Sequence, residues 1–275
     1  MIAPRGAESF VEANGLRHRV LSYGDTGPEV LILTGITSTA LTAEFIAVAL
    51  ADRFRVHVPD LRGRGGTPAT PPGSYTLGTY AADVDGLVDG LGLSRPIVVG
   101  HSLGARIGAA HAVSRPGRQG GLVLVDPPLS GPGRDPYPTS AEAFDTQLHQ
   151  AYRGTTEDEL RAWYPRWDAR ELRIRAQELP TCDRAAVLET HANFHREDFL
   201  PNWRQLSDGV VLVRGADSPV VTDAGAAELR ASNPAIPVVT VPDAGHMVPW
   251  DNWPAFRDVL LDELLRTGAT SVHPD

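Results

Sequence analysis

Short, continuous apolar runs alternate along this chain with stretches whose apolar residues recur every three or four positions. The runs "EVLILTG", "FRVHVPD", "PIVVGHS", "GLVLVDP", "GVVLVRG" and "IPVVTVP" are rich in Val, Ile and Leu and lack the polar alternation of half-exposed strands. They predict the central strands of a mostly parallel sheet. Between them, "TAEFIAVALADR", "YAADVDGLVDGLG", "LGARIGAAHAVS", "DAGAAELRAS" and "WPAFRDVLLDELLRT" have helical spacing. At the start, "SFVEANGLRHRVLSYG" reads as two antiparallel strands around an Asn-Gly turn. Strand and helix in alternation predict an α/β fold with ligands beyond the carboxyl ends of the strands.

That alternation breaks once. From residue 127 to residue 207 no strand-like run occurs; a turn-rich "PPLSGPGRDPYPT" leads into helical pieces such as "SAEAFDTQLHQAYRG", "TEDELRAWYPRW" and "CDRAAVLETHANFH". A structureless loop of that length is rare, so the segment is expected to be a helical cap inserted between two strands. The expected organisation is a core of residues 1–126 and 208–275 with a cap of residues 127–207.

Composition narrows the partners. The 275 residues carry a net charge of -9, which argues against nucleic acid and anionic membrane surfaces. A small anionic substrate stays compatible, because a few local arginines can hold a carboxylate. No run of 18 apolar residues offers a membrane span, and "MIAPRGAESF" has no apolar leader core, so a cytoplasmic location is expected. One cysteine, Cys182, excludes an internal disulfide and fits a reducing compartment.

The chemistry concentrates at "GHSLG", residues 100–104, a G-x-S-x-G pattern at a junction between strand and helix. Ser102 is the candidate nucleophile, and a serine needs a base. His246, in the loop between "IPVVTVP" and the last helix, is the expected base. His18 and His57 lie in strands, His111 in a helix and His273 in the tail, and His149 has no clear partner. His191 and His195 are spaced for a metal in "HANFH" but lack a zincin glutamate, so no metal is expected.

An acid must orient the histidine. Asp126 ends "GLVLVDPP", and Asp217 follows the next strand in "VLVRGADSPVV", one residue before the position at which an acid is commonly found; Ser218 occupies that position. Asp126 is preferred. The oxyanion hole is expected from the amides of Leu103 and Ile36, with Gly35 permitting the turn and Thr37 adding a hydroxyl to substrate.

The blocks "GITS" at 35–38, "RGRG" at 62–65, "GHSLGAR" at 100–106, "LVLVDPPLSGPGRDPYP" at 122–138 and "AGHMVPWD" at 244–251 resemble α/β-hydrolases, and within them the N-formylmaleamate deformylases of nicotinate degradation. The resemblance implies an α/β-hydrolase fold and a triad on Ser102, Asp126 and His246. It also implies cofactor-free hydrolysis of a formyl amide to maleamate and formate. A carboxylate on such a substrate needs an anchor, for which Arg134 with Tyr137 beside it is the candidate. Arg106 is a weaker one that is otherwise expected to pair with Asp60, and Trp250 is expected to pack cap against core. An esterase, a carbon-carbon bond hydrolase and a non-catalytic small-molecule receptor are the alternatives on the same scaffold.

Overall fold

A computed structural model describes residues 1–270. Eight strands form one sheet: β1 (Ala7–Ala13), β2 (Leu16–Tyr23), β3 (Glu29–Leu33), β4 (Arg55–Pro59), β5 (Ile97–His101), β6 (Gly121–Val125), β7 (Val210–Gly215) and β8 (Val238–Val241). Their order is β1-β2-β4-β3-β5-β6-β7-β8. The β1–β2 and β2–β4 pairs are antiparallel and the others parallel. The opening hairpin turns at Asn14 and Gly15, both with positive φ.

Helices α1 (Glu44–Leu50), α2 (Leu77–Gly90) and α3 (Leu103–Ser114) precede β6. Five more lie between β6 and β7: α4 (Ala141–Tyr152), α5 (Glu157–Trp163), α6 (Ala169–Glu178), α7 (Arg184–Arg196) and α8 (Leu200–Trp203). Then come α9 (Asp223–Ser232), α10 (Val248–Asp251) and α11 (Trp253–Thr270). Thr76, Ser140, Thr156, Asp183 and Thr222 cap the N-termini of their helices by accepting amide hydrogen bonds, which starts each helix at a defined residue.

The continuous apolar runs are explained by burial on both faces. Strands β5, β6 and β7 are buried throughout. Leu31, Leu33, Val98, Leu122 and Leu124 pack on one face against α2 and α3. Val30, Ile32, Val99, Val123 and Val125 pack on the other against α1 and α11. Helices α4, α7 and α8 join the first cluster through Phe144, Leu148, Val187, Phe194 and Trp203, so the inserted helices share the core of the sheet.

Helix α6 is tied down differently. Glu44, fully buried, accepts from Arg170 and from the Tyr23 hydroxyl at 3.3 Å. Glu178 accepts from the Thr39 hydroxyl at 2.8 Å, and Arg175 donates to Thr37. All three side chains of α6 therefore grip the stretch between β3 and the end of α1. Trp250 stacks on Trp167 at 5.2 Å and meets the edge of Phe45, as expected of a packing residue.

Candidate active site

The sheet places the chemistry at its carboxyl edge. Ladder bonds run one residue past the strands, from Ser102 N–H to the Val125 carbonyl and from Asp126 N–H to the Val213 carbonyl, each at 2.8 Å. Ser102 and Asp126 thus leave adjacent strands side by side. Ser102 has φ 56° and ψ -114°, a strained conformation for a residue with a side chain, and it opens α3. The residues two before and two after it must be glycine. A methyl on Gly100 would lie 2.3 Å from the Gly104 carbonyl oxygen, and one on Gly104 would lie 2.1 Å from that of Leu33.

His246 connects the two. Its Nδ1–H donates to Asp126 Oδ2 at 2.7 Å, which leaves Nε2 as the acceptor, 3.0 Å from Ser102 Oγ. Asp126 is fully buried, and burial pushes its carboxyl up from the ordinary value; His246, then Ser218, hold it down by hydrogen bonding. Ser218 donates to the same Oδ2 at 2.5 Å while its own oxygen accepts the Val220 amide at 3.0 Å. Asp217 stands outside this chain of bonds: its exposed carboxylate faces Arg166 at 4.0 Å.

Two further contacts set the loop of His246. Asp251 accepts the Gly245 amide at 2.9 Å. His101 donates from Nε2 to the His246 carbonyl at 2.9 Å, and burial, with His246 adding, drives its pKa down to about 3, so the ring stays neutral.

Ile36 lies in the turn after β3, where Ser38 N–H bonds the Gly35 carbonyl at 3.1 Å. A trans peptide directs its N–H opposite its C=O, so this bond aims the Ile36 amide away from the turn. Arg64 Nε fixes the next peptide by donating to the Ile36 carbonyl at 3.0 Å. The turn does not need a left-handed residue at Gly35, whose φ is not among the positive ones, and a methyl there would stand 3.4 Å from His101 Nδ1, the edge of ordinary contact. Leu103, whose amide follows Ser102, is the first residue of α3.

These residues border a cavity of about 250 Å³, lined by Ser102, His246, Ile36 and Thr37 from the core and by Tyr137, Phe144, Gln147, Trp163, Tyr164 and Arg175 from the inserted segment. Tyr137 also borders the cavity, buried, its hydroxyl 3.2 Å from His246 Nε2. Thr37 also lines the cavity, with its hydroxyl oxygen accepting from Arg175 at 2.8 Å.

Two expectations are corrected. Arg134 does not reach the cavity: it forms a two-pronged pair with Glu228, at 2.9 and 2.6 Å, and donates to the Leu129 carbonyl, because the Gly131–Arg134 turn carries it toward α9. Arg106 does not pair with Asp60; it is buried under the segment and donates to the carbonyls of Pro128, Ser130 and Glu197. Asp60 instead binds Arg19 and the amides of Ala40 and Gly66. His191 donates Nε2–H to the Thr139 carbonyl at 2.9 Å, and no group of three or more metal-ligating side chains occurs among the described residues.

Arg175 is the residue that sequence reading missed. It sits three residues after Leu172 and four before Leu179, on the buried face of α6, a face that the charges of "ARELRIRAQE" mask in the sequence.

The description of the alpha/beta hydrolase family matches residues 30–259. The chain belongs to this family. Among its relatives, the N-formylmaleamate deformylase of Pseudomonas putida is 39% identical over 250 residues, 90% of this chain and 92% of that protein. The 2-(acetamidomethylene)succinate hydrolase of Mesorhizobium japonicum is 33% identical, over 81% of this hydrolase and 83% of its own length. The solved structure of the N-formylmaleamic acid deformylase of Pseudomonas putida S16 superposes with a TM-score of 0.86 at 35% identity, covering 92% of this hydrolase and all of that chain. No helix among the described residues is long and apolar enough to cross a membrane.

Proposed function

We propose that this hydrolase is a serine amidohydrolase that removes the formyl group from a small acidic N-formyl amide, N-formylmaleamate or a close analogue. The observation that carries this reading is His246, held between Asp126 at 2.7 Å and Ser102 at 3.0 Å, with His246 and Ser102 lining the cavity. Residues 127–207 act as the cap that supplies most of the substrate-facing side chains. The names of two relatives, a formyl amide hydrolase and an acetamide hydrolase, support carbon-nitrogen cleavage over ester or carbon-carbon cleavage. A cavity of about 250 Å³ suits a compact substrate of this kind, below drug-like size.

In the reaction, His246 Nε2 takes the Ser102 proton as Oγ attacks the formyl carbon. The carbonyl oxygen gains the negative charge, received by the Ile36 and Leu103 amides at the positive end of α3. The intermediate collapses by breaking the carbon-nitrogen bond, and the His246 proton passes to the departing nitrogen. Water, deprotonated by His246, then attacks the formyl ester, releasing formate and restoring Ser102. Asp126 steadies the imidazolium in both halves. Action in the cytoplasm is consistent with the single cysteine, Cys182, buried and without a disulfide partner.

Formate release from N-formylmaleamate by the purified protein, beside its Ser102→Ala variant, tests the reading. Release that the variant loses by orders of magnitude is expected. Release by both would sink the mechanism; cleavage of aryl esters alone would move the substrate elsewhere in the family.

A further inference from the structure

Three buried arginines have no carboxylate partner among the described residues: Arg64, Arg106 and Arg175. Two of them are surrounded by other acceptors. Arg64 engages the carbonyls of Ile36 and Arg62, the Tyr80 hydroxyl and Thr190. Arg106 donates to three main-chain carbonyls.

Arg175 is different. At 4% exposure it donates to the carbonyl and hydroxyl of Thr37, with the Tyr164 hydroxyl at the limit of bonding, 3.5 Å away; its Nε–H, like that of Arg106, has no partner, but it has one main-chain acceptor where Arg106 has three. It also borders the cavity that holds Ser102. The lining contains no aspartate or glutamate, and Arg175 is its one permanent cation. A guanidinium buried without a counter-ion is costly, and a carboxylate that pairs with it in a water-poor pocket forms a strong, oriented contact.

We infer that Arg175 is the specificity-determining residue of this site and pairs with a single carboxylate at the far end of the substrate. The inference rests on the hydrolase reading of the cavity, and it replaces Arg134 in that role. It also couples two tasks, because the guanidinium that meets the carboxylate holds Thr37, the residue after the oxyanion donor Ile36. One cation matches one negative charge, so the preferred ligand is a monoanion, with an uncharged amide or ester at the reacting end.

Calorimetric binding of maleamate and of its uncharged counterpart, maleamide, tests this without requiring turnover. The wild-type protein should bind maleamate at least about tenfold more tightly. Arg175→Gln should bring the two affinities to within about twofold of each other, and Arg175→Lys, which keeps the charge without the fork, should give an intermediate preference. Equal affinities in the wild type, no binding of either, or a preference that survives Arg175→Gln overturns the inference. The wild-type comparison stands even where a variant does not fold. Formate release from N-formylmaleamate by the same preparations separates the two readings: no release with the maleamate preference intact removes the deformylase assignment alone, and release without any preference removes Arg175 alone.

Discussion

Ser218 Oγ lies 2.5 Å from Asp126 Oδ2, on the same carboxylate oxygen that His246 reaches at 2.7 Å. The residue at the common acid position after β7 thus serves the acid that stands after β6. Its hydrogen bond favours the charged carboxylate and lowers the Asp126 pKa against the upward push of burial. Removing it raises that pKa, so the carboxylate is lost at a higher pH. Ser218→Ala should therefore move the acid limb of the kcat/KM profile upward and reduce kcat/KM about tenfold at neutral pH. A pH-rate profile checks this; an unmoved limb would show that the hydroxyl only fills space.

The same proximity suggests that the acid can be relocated. Asp126→Asn should lower kcat about ten-thousandfold, because the histidine loses its orienting anion. Adding Ser218→Asp to that variant should recover part of the loss, since the new carboxylate starts beside the one it replaces. Steady-state kinetics of the double variant against the single one decides the point, and no recovery would mean that only the β6 position aims at Nδ1.

Tyr137 and Ser102 both approach His246 Nε2, at 3.2 and 3.0 Å, although a neutral imidazole nitrogen accepts one proton. Substrate that engages Ser102 leaves the phenol free to donate to the reacting amide. Burial raises the Tyr137 pKa, which keeps it protonated for that purpose. Tyr137→Phe should cost about fivefold in kcat/KM with the melting temperature preserved. Full activity in the phenylalanine variant would reduce Tyr137 to a wall of the cavity.

Gly104 tests the packing of the nucleophile turn. An added methyl meets the Leu33 carbonyl oxygen at 2.1 Å, and both partners are backbone, so neither can swing aside. Gly104→Ala should destabilise the protein by about 3 kcal/mol and depress kcat as β3 and α3 separate. Thermal denaturation measures the first effect, and an unchanged Tm would contradict the contact.

The sheet was readable because its strands are buried on both sides, which leaves uninterrupted Val, Ile and Leu such as Ile97–Val99 and Leu122–Val125. Ser102 and Asp126 follow such runs directly and His246 lies five residues past β8, so their placement at one edge could be inferred from strand order alone. Substrate-facing arginines could not. Arg134 sits beside Asp126's turn in sequence yet turns away to Glu228, whereas Arg175 is 49 positions from Asp126 in chain order and comes back through the docking of α6. Charged residues in an insertion reveal their direction only once the packing of that insertion is known. Helix α6 itself was hidden, because "ARELRIRAQE" interrupts its apolar positions with charges that the fold pairs internally with Glu44 and Thr37.

That docking has a consequence for how such enzymes diversify. Arg170, Arg175 and Glu178 hold Glu44, Thr37 and Thr39, residues on the run that shapes the oxyanion turn. The inserted helices are therefore not an exchangeable cassette. A segment transplanted from a sister enzyme would take Arg170 from buried Glu44, leaving it the Tyr23 hydroxyl and the Arg5 amide, and would release Thr37 and Thr39. Pocket shape and the placement of the turn after β3 are thereby linked: a change in α6 reaches Thr37 and Thr39, whereas Phe144 and Gln147 of α4 and Trp163 of α5 line the cavity without holding that turn.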